Sequence, residues 1–496
     1  MKLKQRPEDF QVTESWRFDE APRGRHHVYL MDKQKLSTFE AVDRICERFR
    51  LPRASVSYCG LKDKQGRTTQ LIAVEGPAVD VQDPDLRLKF MGRSATPLSA
   101  ANTTSNRFAV TVRDLGEEDV SRLPGSLAEV RRLGVVNYFD SQRFGSLKHG
   151  QGFVVKDLMR GEFEIALKNV LARPSELDRS DDARVKQFWK EHWGDWSARN
   201  PYPGADRYTP VVRWLRDHPA DYRGAFLRTE PRWRALQVFA YQSWLWNEGV
   251  KAYLRALVGV GRLLSMRYQA GTLVFPREID AVTAKRLVHD FPLLAPASRF
   301  ADAEVEKAAL SVLGREDQSL ADLAIPGTPE IHFEPEDRPL VVHPGRLAIG
   351  EAKPDELNRG RLRVNVAFTL PPGAYATLVV KRLFHWTFAP RGTRGQPRDQ
   401  APVSGRPDRH PNDRSEAAPK AGATPASGEA PPAEPRGFLA RRRAEKAERA
   451  ARRQAAGTQP VREAAKTQLG RQTAGTPPVR EAARPAKPRH GPARKR

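Results

Sequence analysis

The segment Gly60-Leu61-Lys62-Asp63-Lys64-Gln65-Gly66-Arg67 puts one carboxylate among three cations and two glycines. A cationic surround favours the ionised form of an aspartate, and the same cations would attract a phosphate backbone. An ionised carboxylate in a basic cleft can act as a nucleophile or a base on a nucleotide. Alone the pattern is weak, because an Asp beside Lys in a polar turn is usually a hairpin connection. Glu8, Asp9 and Glu14 could join Asp63 in a metal cluster for hydrolysis, but Lys62 and Lys64 would oppose a divalent cation. The chain has no Gly-x-x-x-x-Gly-Lys-Ser/Thr phosphate loop and no Gly-x-Gly-x-x-Gly fingerprint, and no metal-ligand spacing stands out. Neither cofactor nor metal is expected. His26, His27 and His149 lack spaced partners and read as surface or core residues.

The elements that must position Asp63 follow from periodicity. Phe10 and Val12 alternate with polar neighbours, as do Val28 and Leu30, and both segments read as strands. Ser37 with Glu40 forms a capping box, after which Phe39, Val42, Ile45/Cys46 and Phe49 fall at helical spacing. Cys46 is then a core residue. Val56 and Tyr58, the polar loop, and Thr68, Gln70, Ile72 and Val74 read as strand, loop, strand. Phe108, Val110 and Val112 alternate. Seven of the nine tryptophans fall between Asp178 and Trp246, a stretch that reads as mainly helical, with the tryptophans as core. Leu362, Val364, Val366, Phe368 and Leu370 alternate up to Pro371-Pro372-Gly373, and Ala374 to Phe384 has helical spacing. The body is thus α/β or α+β, with strands at both ends of a helical middle.

Composition bounds the partners. The 496 residues carry a net charge of +24, which favours a polyanion, nucleic acid first. Residues 391–496 hold 25 Lys+Arg against 10 Asp+Glu, 15 of the 40 prolines and one aromatic, Phe438. Such a segment cannot bury enough apolar surface to offset its ordering entropy, so a disordered basic tail is expected over 389–496. It contains a duplicated stretch, Thr458–Lys466 and Thr476–Arg484, and an Ala/Arg/Glu-rich segment, Arg436–Gln454, that could become helical on RNA. The tail should raise RNA affinity through phosphate contacts without setting specificity. No apolar run approaches the roughly 20 residues that span a bilayer, and the N-terminus lacks a signal-peptide pattern. A cytoplasmic protein without a membrane partner is expected. Cys46 and Cys59 make one disulfide arithmetically possible, with no disulfide framework.

Four further segments change the weight of the Asp63 loop. They are Pro7–Glu14 (PEDFQVTE), Ser105-Asn106-Arg107-Phe108, Asn137–Gly145 (NYFDSQRFG) and Leu370–Thr377 (LPPGAYAT). Together and in this order the chain resembles the tRNA pseudouridine synthase D (TruD) family, over essentially the whole body. The resemblance implies an α+β fold: a catalytic domain with a mixed, largely antiparallel sheet, interrupted by a family-specific insertion. The implied boundaries are 1–134 and 347–388 for the catalytic domain and 135–346 for the insertion. The implied activity is isomerisation of a uridine in tRNA, at position 13, to pseudouridine, without a cofactor. Asp63 is carried over as the nucleophile and Lys4 as its ion-pair partner. Asn106, Phe108, Phe139, Gln142 and Arg143 are carried over as substrate-binding residues, with Phe108 stacking on the base, Arg143 able to clamp a phosphate, and Phe144 as core. Asp140 departs from the family pattern, which has a small residue there, often glycine. A monomer is the default. The alternative is a tRNA-binding chaperone on the same scaffold, against which the retained Asp63 argues.

Overall fold

The computed structural model describes residues 1–147, 152–300 and 302–388, all within one compact unit; the expected tail lies outside them. The first six strands are β1 (Phe10–Trp16), β2 (His26–Gln34), β3 (Val56–Tyr58), β4 (Arg67–Glu75), β5 (Leu86–Ser94) and β6 (Thr103–Leu115). Three more, β7 (Gly345–Ile349), β8 (Lys353–Pro354) and β9 (Leu362–Leu370), come from the far end of the chain. They form one nine-stranded sheet in the order β7-β9-β6-β1-β4-β2-β5, with β8 on β9 and β3 on β4. Only β1 and β4 pair in parallel. The mixed, largely antiparallel sheet of an α+β fold is therefore present. Between Val136 and Val341 no described residue joins it, and Val135–Val136 pairs with Val341–Val342 where the chain leaves and returns.

Register decides what faces what. Phe368, Phe108, Val12, Thr68 and Lys33 form one row across five strands, and Leu370, Asn106 and Glu14 form the next. Residues two apart on a strand share a face, so these rows lie on the same side of the sheet. Helix α1 (Thr38–Phe49) covers one patch of it, packing Ala41, Val42 and Ile45 on Tyr29, Met31, Ile72 and Val74. Helices α2 (Glu117–Leu133) and α5 (Ala376–Leu383) contribute Leu123, Val130, Leu378 and Val379 to the cluster that covers Val110, Val112, Val364 and Val366. Each large apolar side chain so buried contributes roughly 1.5–3 kcal/mol. Between the two patches the same face turns polar, with Glu14, Lys33, Thr68, Gln70 and Asn106. The loop after β3 lies over that strip.

The middle of the chain is mainly helical. Its longest helix, α3 (Pro231–Val258), starts with proline, is capped by the Glu230 carboxylate and ends before Gly259 at φ 82°. Helix α4 (Ala303–Arg315) packs along it. Trp189, Trp196, Trp244 and Trp246 are buried and Trp193, Trp214 and Trp233 pack against the same core, as the sequence suggested. Cys46 and Cys59 are free thiols, both buried. No helix among the described residues is long and apolar enough to cross a membrane.

Candidate active site

Strand β4 changes partner along its length. Arg67–Thr69 pair with β1, and Ile72–Val74 pair with β3. At this split the chain from Cys59 to Gly66 leaves the sheet, and four polar side chains beneath it replace the missing ladder. The Gln70 amide donates to the Gly60 carbonyl at 2.9 Å. Thr38 donates to Gln70 and accepts from the Lys62 N–H at 3.0 Å. The Glu14 carboxylate, fully buried, accepts from the Lys62 ammonium, from the Leu71 N–H at 3.0 Å and from the Thr103 hydroxyl at 3.1 Å. Lys33, also buried, donates to the carbonyls of Leu36 at 2.7 Å and of Asp63 itself at 3.1 Å. Burial pushes the Lys33 ammonium down to about 8, while the Asp63 charge holds it up. Burial and the Glu14 charge push the neighbouring Cys59 thiol up to about 11. Gly66 is required at the loop's end, because a Cβ there would lie 2.3 Å from the Phe10 carbonyl oxygen.

The Asp63 side chain is aimed through both oxygens. Oδ1 accepts from the Gln65 N–H at 2.9 Å. Oδ2 accepts from the Lys4 ammonium and, at 3.4 Å, from the Gln142 amide. Lys4 and Asp63 are 15% and 13% exposed, enclosed yet reachable. Lys4 sits at φ 57°, a left-handed conformation that costs a non-glycine residue roughly 1–2 kcal/mol. It is held there by backbone bonds between Lys2 and Arg113 and by stacking of its ammonium 4.2 Å from the Phe10 ring centroid.

The residues singled out from sequence divide into two groups. Asp63, Lys4 and Gln142 are in mutual reach. Asn106 lies on the polar strip of the sheet, and its buried Oδ1 has no partner among the described residues. Phe108 is 7% exposed and stacks on Phe368 at 5.3 Å between centroids. Phe139 is buried too. Arg338 lies 4.2 Å over its ring, Arg143 lies 5.4 Å from the ring centroid, and Trp246 and Tyr375 meet it edge-on. The Arg143 Nε is buried without a partner among the described residues. Phe144 is fully buried against Tyr268. Glu8, Asp9, Glu14 and Asp63 do not converge: Gln34, Arg113, Lys62 and Lys4 respectively take them.

Asp140 fits its place. Its backbone is extended at φ −89° and ψ 172°, so no glycine is required. Its carboxylate, 3% exposed by residue, accepts from the Ser141 N–H and from Thr377 and Lys381 on α5. It thus ties the Asn137–Gly145 segment to the end of the body. Two other supports were not read from the sequence. Asn247 of α3 exchanges two 2.9 Å bonds with the Phe139 backbone. Arg338 donates to the Asn137 carbonyl and side chain, each at 2.8 Å, and to the Gly373 carbonyl at 3.0 Å. Burial, with the Arg143 charge beside it, brings Arg338 down to about 10.

The arrangement is an oriented, ionisable carboxylate at the edge of a polar strip, with an amide oxygen and a guanidinium nitrogen that have no partner among the described residues. It can attack an electrophilic carbon and hold a polar planar ring. The family model described as tRNA pseudouridine synthase D (TruD) matches residues 1–383. A protein of Methanocaldococcus jannaschii named probable tRNA pseudouridine synthase D 2 is 33% identical over 393 residues, covering 77% of this chain and 92% of its own. The tRNA pseudouridine synthase D of Aquifex aeolicus is 29% identical, covering 77% and 98%. A crystal structure from Methanosarcina mazei that carries the family name superposes with a TM-score of 0.57 at 24% identity, covering 77% and 93%, and shows the fold.

Proposed function

Because the chain belongs to the tRNA pseudouridine synthase D family, an isomerase family acting on tRNA, we propose that Asp63 is its nucleophile and the uridine at position 13 of tRNA its target. The observation that carries this reading is the Asp63 carboxylate itself, held on both oxygens yet left 13% exposed. The target nucleotide leaves the stack, since its glycosidic bond is otherwise out of reach. Asp63 adds to the nucleoside at C1′ of the ribose or C6 of the base. The C1′–N1 bond breaks, the uracil rotates and C1′ bonds to C5. The C5 proton then leaves to solvent, N1 takes one up, and the carboxylate is released. Atoms and electrons balance within the uridine, so the reading needs no cofactor and no metal.

Lys4 and Gln142 keep the carboxylate aimed. Asn106 offers its free Oδ1 to a donor on the base or sugar, Phe108 floors the pocket, Phe139 backs it, and Arg143 meets a phosphate. We also propose residues 1–134 with 347–388 as the catalytic domain and 135–346 as the insertion. The sheet's strands come from the former, save Gly345 and Arg346 at the start of β7, and Val135–Val136 with Val341–Val342 marks the junction. A cytoplasmic monomer acting on tRNA completes the reading.

The test is pseudouridine formation on unmodified tRNA, by tritium release or mass spectrometry, for wild type and Asp63→Ala. Product from wild type, and none from a variant that still binds tRNA, is expected. A wild type that binds tRNA and modifies no RNA would sink the reading.

A further inference from the structure

A cleft of about 590 Å³ opens between α1, β3 and the first turn of α3, and the chemistry above makes no use of it. The rings of Phe39 and Tyr58 meet edge to face at 6.4 Å on its wall. The Arg53 guanidinium lies 5.9 Å from the first ring and 5.7 Å from the second. From the opposite side, Arg232 at the start of α3 reaches across and lies 4.2 Å over Phe39. Two carboxylates share the cleft, and both are occupied. Asp43 takes Arg53 at 2.8 Å, and Glu230 caps α3 through the N–H groups of Arg232 and Trp233 at 3.1 and 2.8 Å. Arg232 has no carboxylate partner among the described residues, so its charge is the uncompensated one. The cleft abuts the Asp63 loop. Phe39 follows Thr38, whose hydroxyl accepts from the Lys62 N–H, and Tyr58 leads into Gly60.

We propose that this cleft is a second nucleotide subsite of the RNA substrate, taking a nucleotide that neighbours the target, with its base against Phe39 and Tyr58 and its phosphate on Arg232. This rests on the synthase reading and adds to it. Aromatic faces with arginine alongside accept any base by stacking, while the guanidinium tracks the backbone. A nucleotide flipped out for chemistry leaves its neighbours unstacked, and a stacking surface beside the nucleophile loop replaces the contact they lose. An acidic peptide would use Arg232 but has no need of two aromatic faces.

The experiment uses the full chain with unmodified tRNA. Arg232→Ala leaves the core untouched, because its side chain is exposed. It should lower kcat/KM about 10-fold through KM and reduce the slope of log affinity against log salt by about one. Phe39→Leu should raise KM about 10-fold at an unchanged salt slope, since a stacked base has been lost and not a phosphate contact. A tRNA made abasic at the neighbouring nucleotide should lose as much with wild type, and lose little more with Phe39→Leu. If neither substitution changes tRNA affinity, or if Arg232→Ala weakens heparin equally while Phe39→Leu does nothing, the subsite is overturned. Affinities are read separately from turnover. A wild type that makes no pseudouridine therefore counts against the synthase reading alone.

Discussion

The sheet carries two clusters of ion pairs built on opposite plans. In one, Arg113 of β6 is 4% exposed and gives bonds of 2.9 to 3.0 Å to Asp9, Asp355 and Glu356. Asp355 also accepts from the N–H groups of Asp114 and Leu357 and from Asn358. Burial alone would raise its carboxyl, but these donors and Arg113 together hold it well below the usual carboxylate range. The Arg113 guanidinium and the Asp9 and Asp355 carboxylates are buried and met by one another. In the other, Lys4, Lys33, Lys62 and Glu14 surround Asp63, yet Asp63 stays reachable, and Asn106 and Arg143 each keep a polar atom without a partner among the described residues. A carboxylate among cations is therefore not a catalytic signal by itself. The signal is saturation in the supports together with vacancy at the tip.

The largest test sets these clusters against each other. Asp63→Ala should reduce pseudouridine formation by on the order of 10³-fold or more, since it removes the proposed nucleophile, with the melting temperature and tRNA affinity near wild type. Arg113→Met should do the reverse. Breaking a buried pair from one side costs roughly 3–5 kcal/mol, read in chemical denaturation, while the folded fraction turns over at near the wild-type rate. The comparison breaks if Asp63→Ala melts the protein comparably, or if folded Arg113→Met is inactive.

Glu14→Gln probes the support under the open cluster. It strands the Lys62 ammonium, itself 9% exposed, and should slacken the loop. A fall in kcat of roughly 10–100-fold with modest destabilisation is expected, because truncating one partner of a buried pair leaves the other uncompensated. An unchanged kcat would show that the loop is held without it. Asp140→Gly is a smaller cut. It frees the segment bearing Gln142 from Thr377 and Lys381, and should lower kcat about 10-fold with little change in KM. Asp140→Asn, which keeps an acceptor, should recover part of that rate. Equal loss in both variants would mean that charge on Asp140, and not the tether, matters.

How much was legible depended on parity. The strands around the loop, the capping box at Ser37 and the tryptophan core followed from spacing, because period and burial coincide there. The supports of Asp63 were hidden by the same rule. Glu14 shares its face with Phe10 and Val12, Lys33 with Tyr29 and Met31, and Gln70 with Ile72 and Val74. A polar residue at a core parity is the trace that could have found them, and Thr68 with Gln70 already showed it within an alternating strand. Asn247 and Arg338 left no such trace, since their partners on Phe139 and Asn137 are 108 and 201 residues away. The expectation that Phe108 stacks on the base came from resemblance; its ring stacks on Phe368. Asp140 looked anomalous because its partners, Thr377 and Lys381, are remote in sequence.

The smallest expected effect is the one that separates the clusters by pH window. Lys33 is buried under the Asp63 carbonyl at about 8, against an ordinary 10.5, with Asp63, Lys62 and Glu40 as the charges that act on it. Between those values the unfolded chain keeps a proton that the folded chain has lost, so this group makes stability rise with pH across that window. The charge beneath Asp63 disappears over the same range, so kcat/KM should fall a few-fold around pH 8. Asp355 has the same slope in a more acid window. Its carboxyl is depressed from 3.8, so its stabilisation is complete above that value and is lost as the pH falls below it toward the depressed one. The closed cluster thus sets the acid limit of the fold, while the open one sets an alkaline limit on the rate as the fold grows firmer. A pH–rate profile of Lys33→Met, run beside its denaturation curve, checks the assignment. The alkaline limb should vanish from an already slower enzyme, and a limb that persists would belong to a different group.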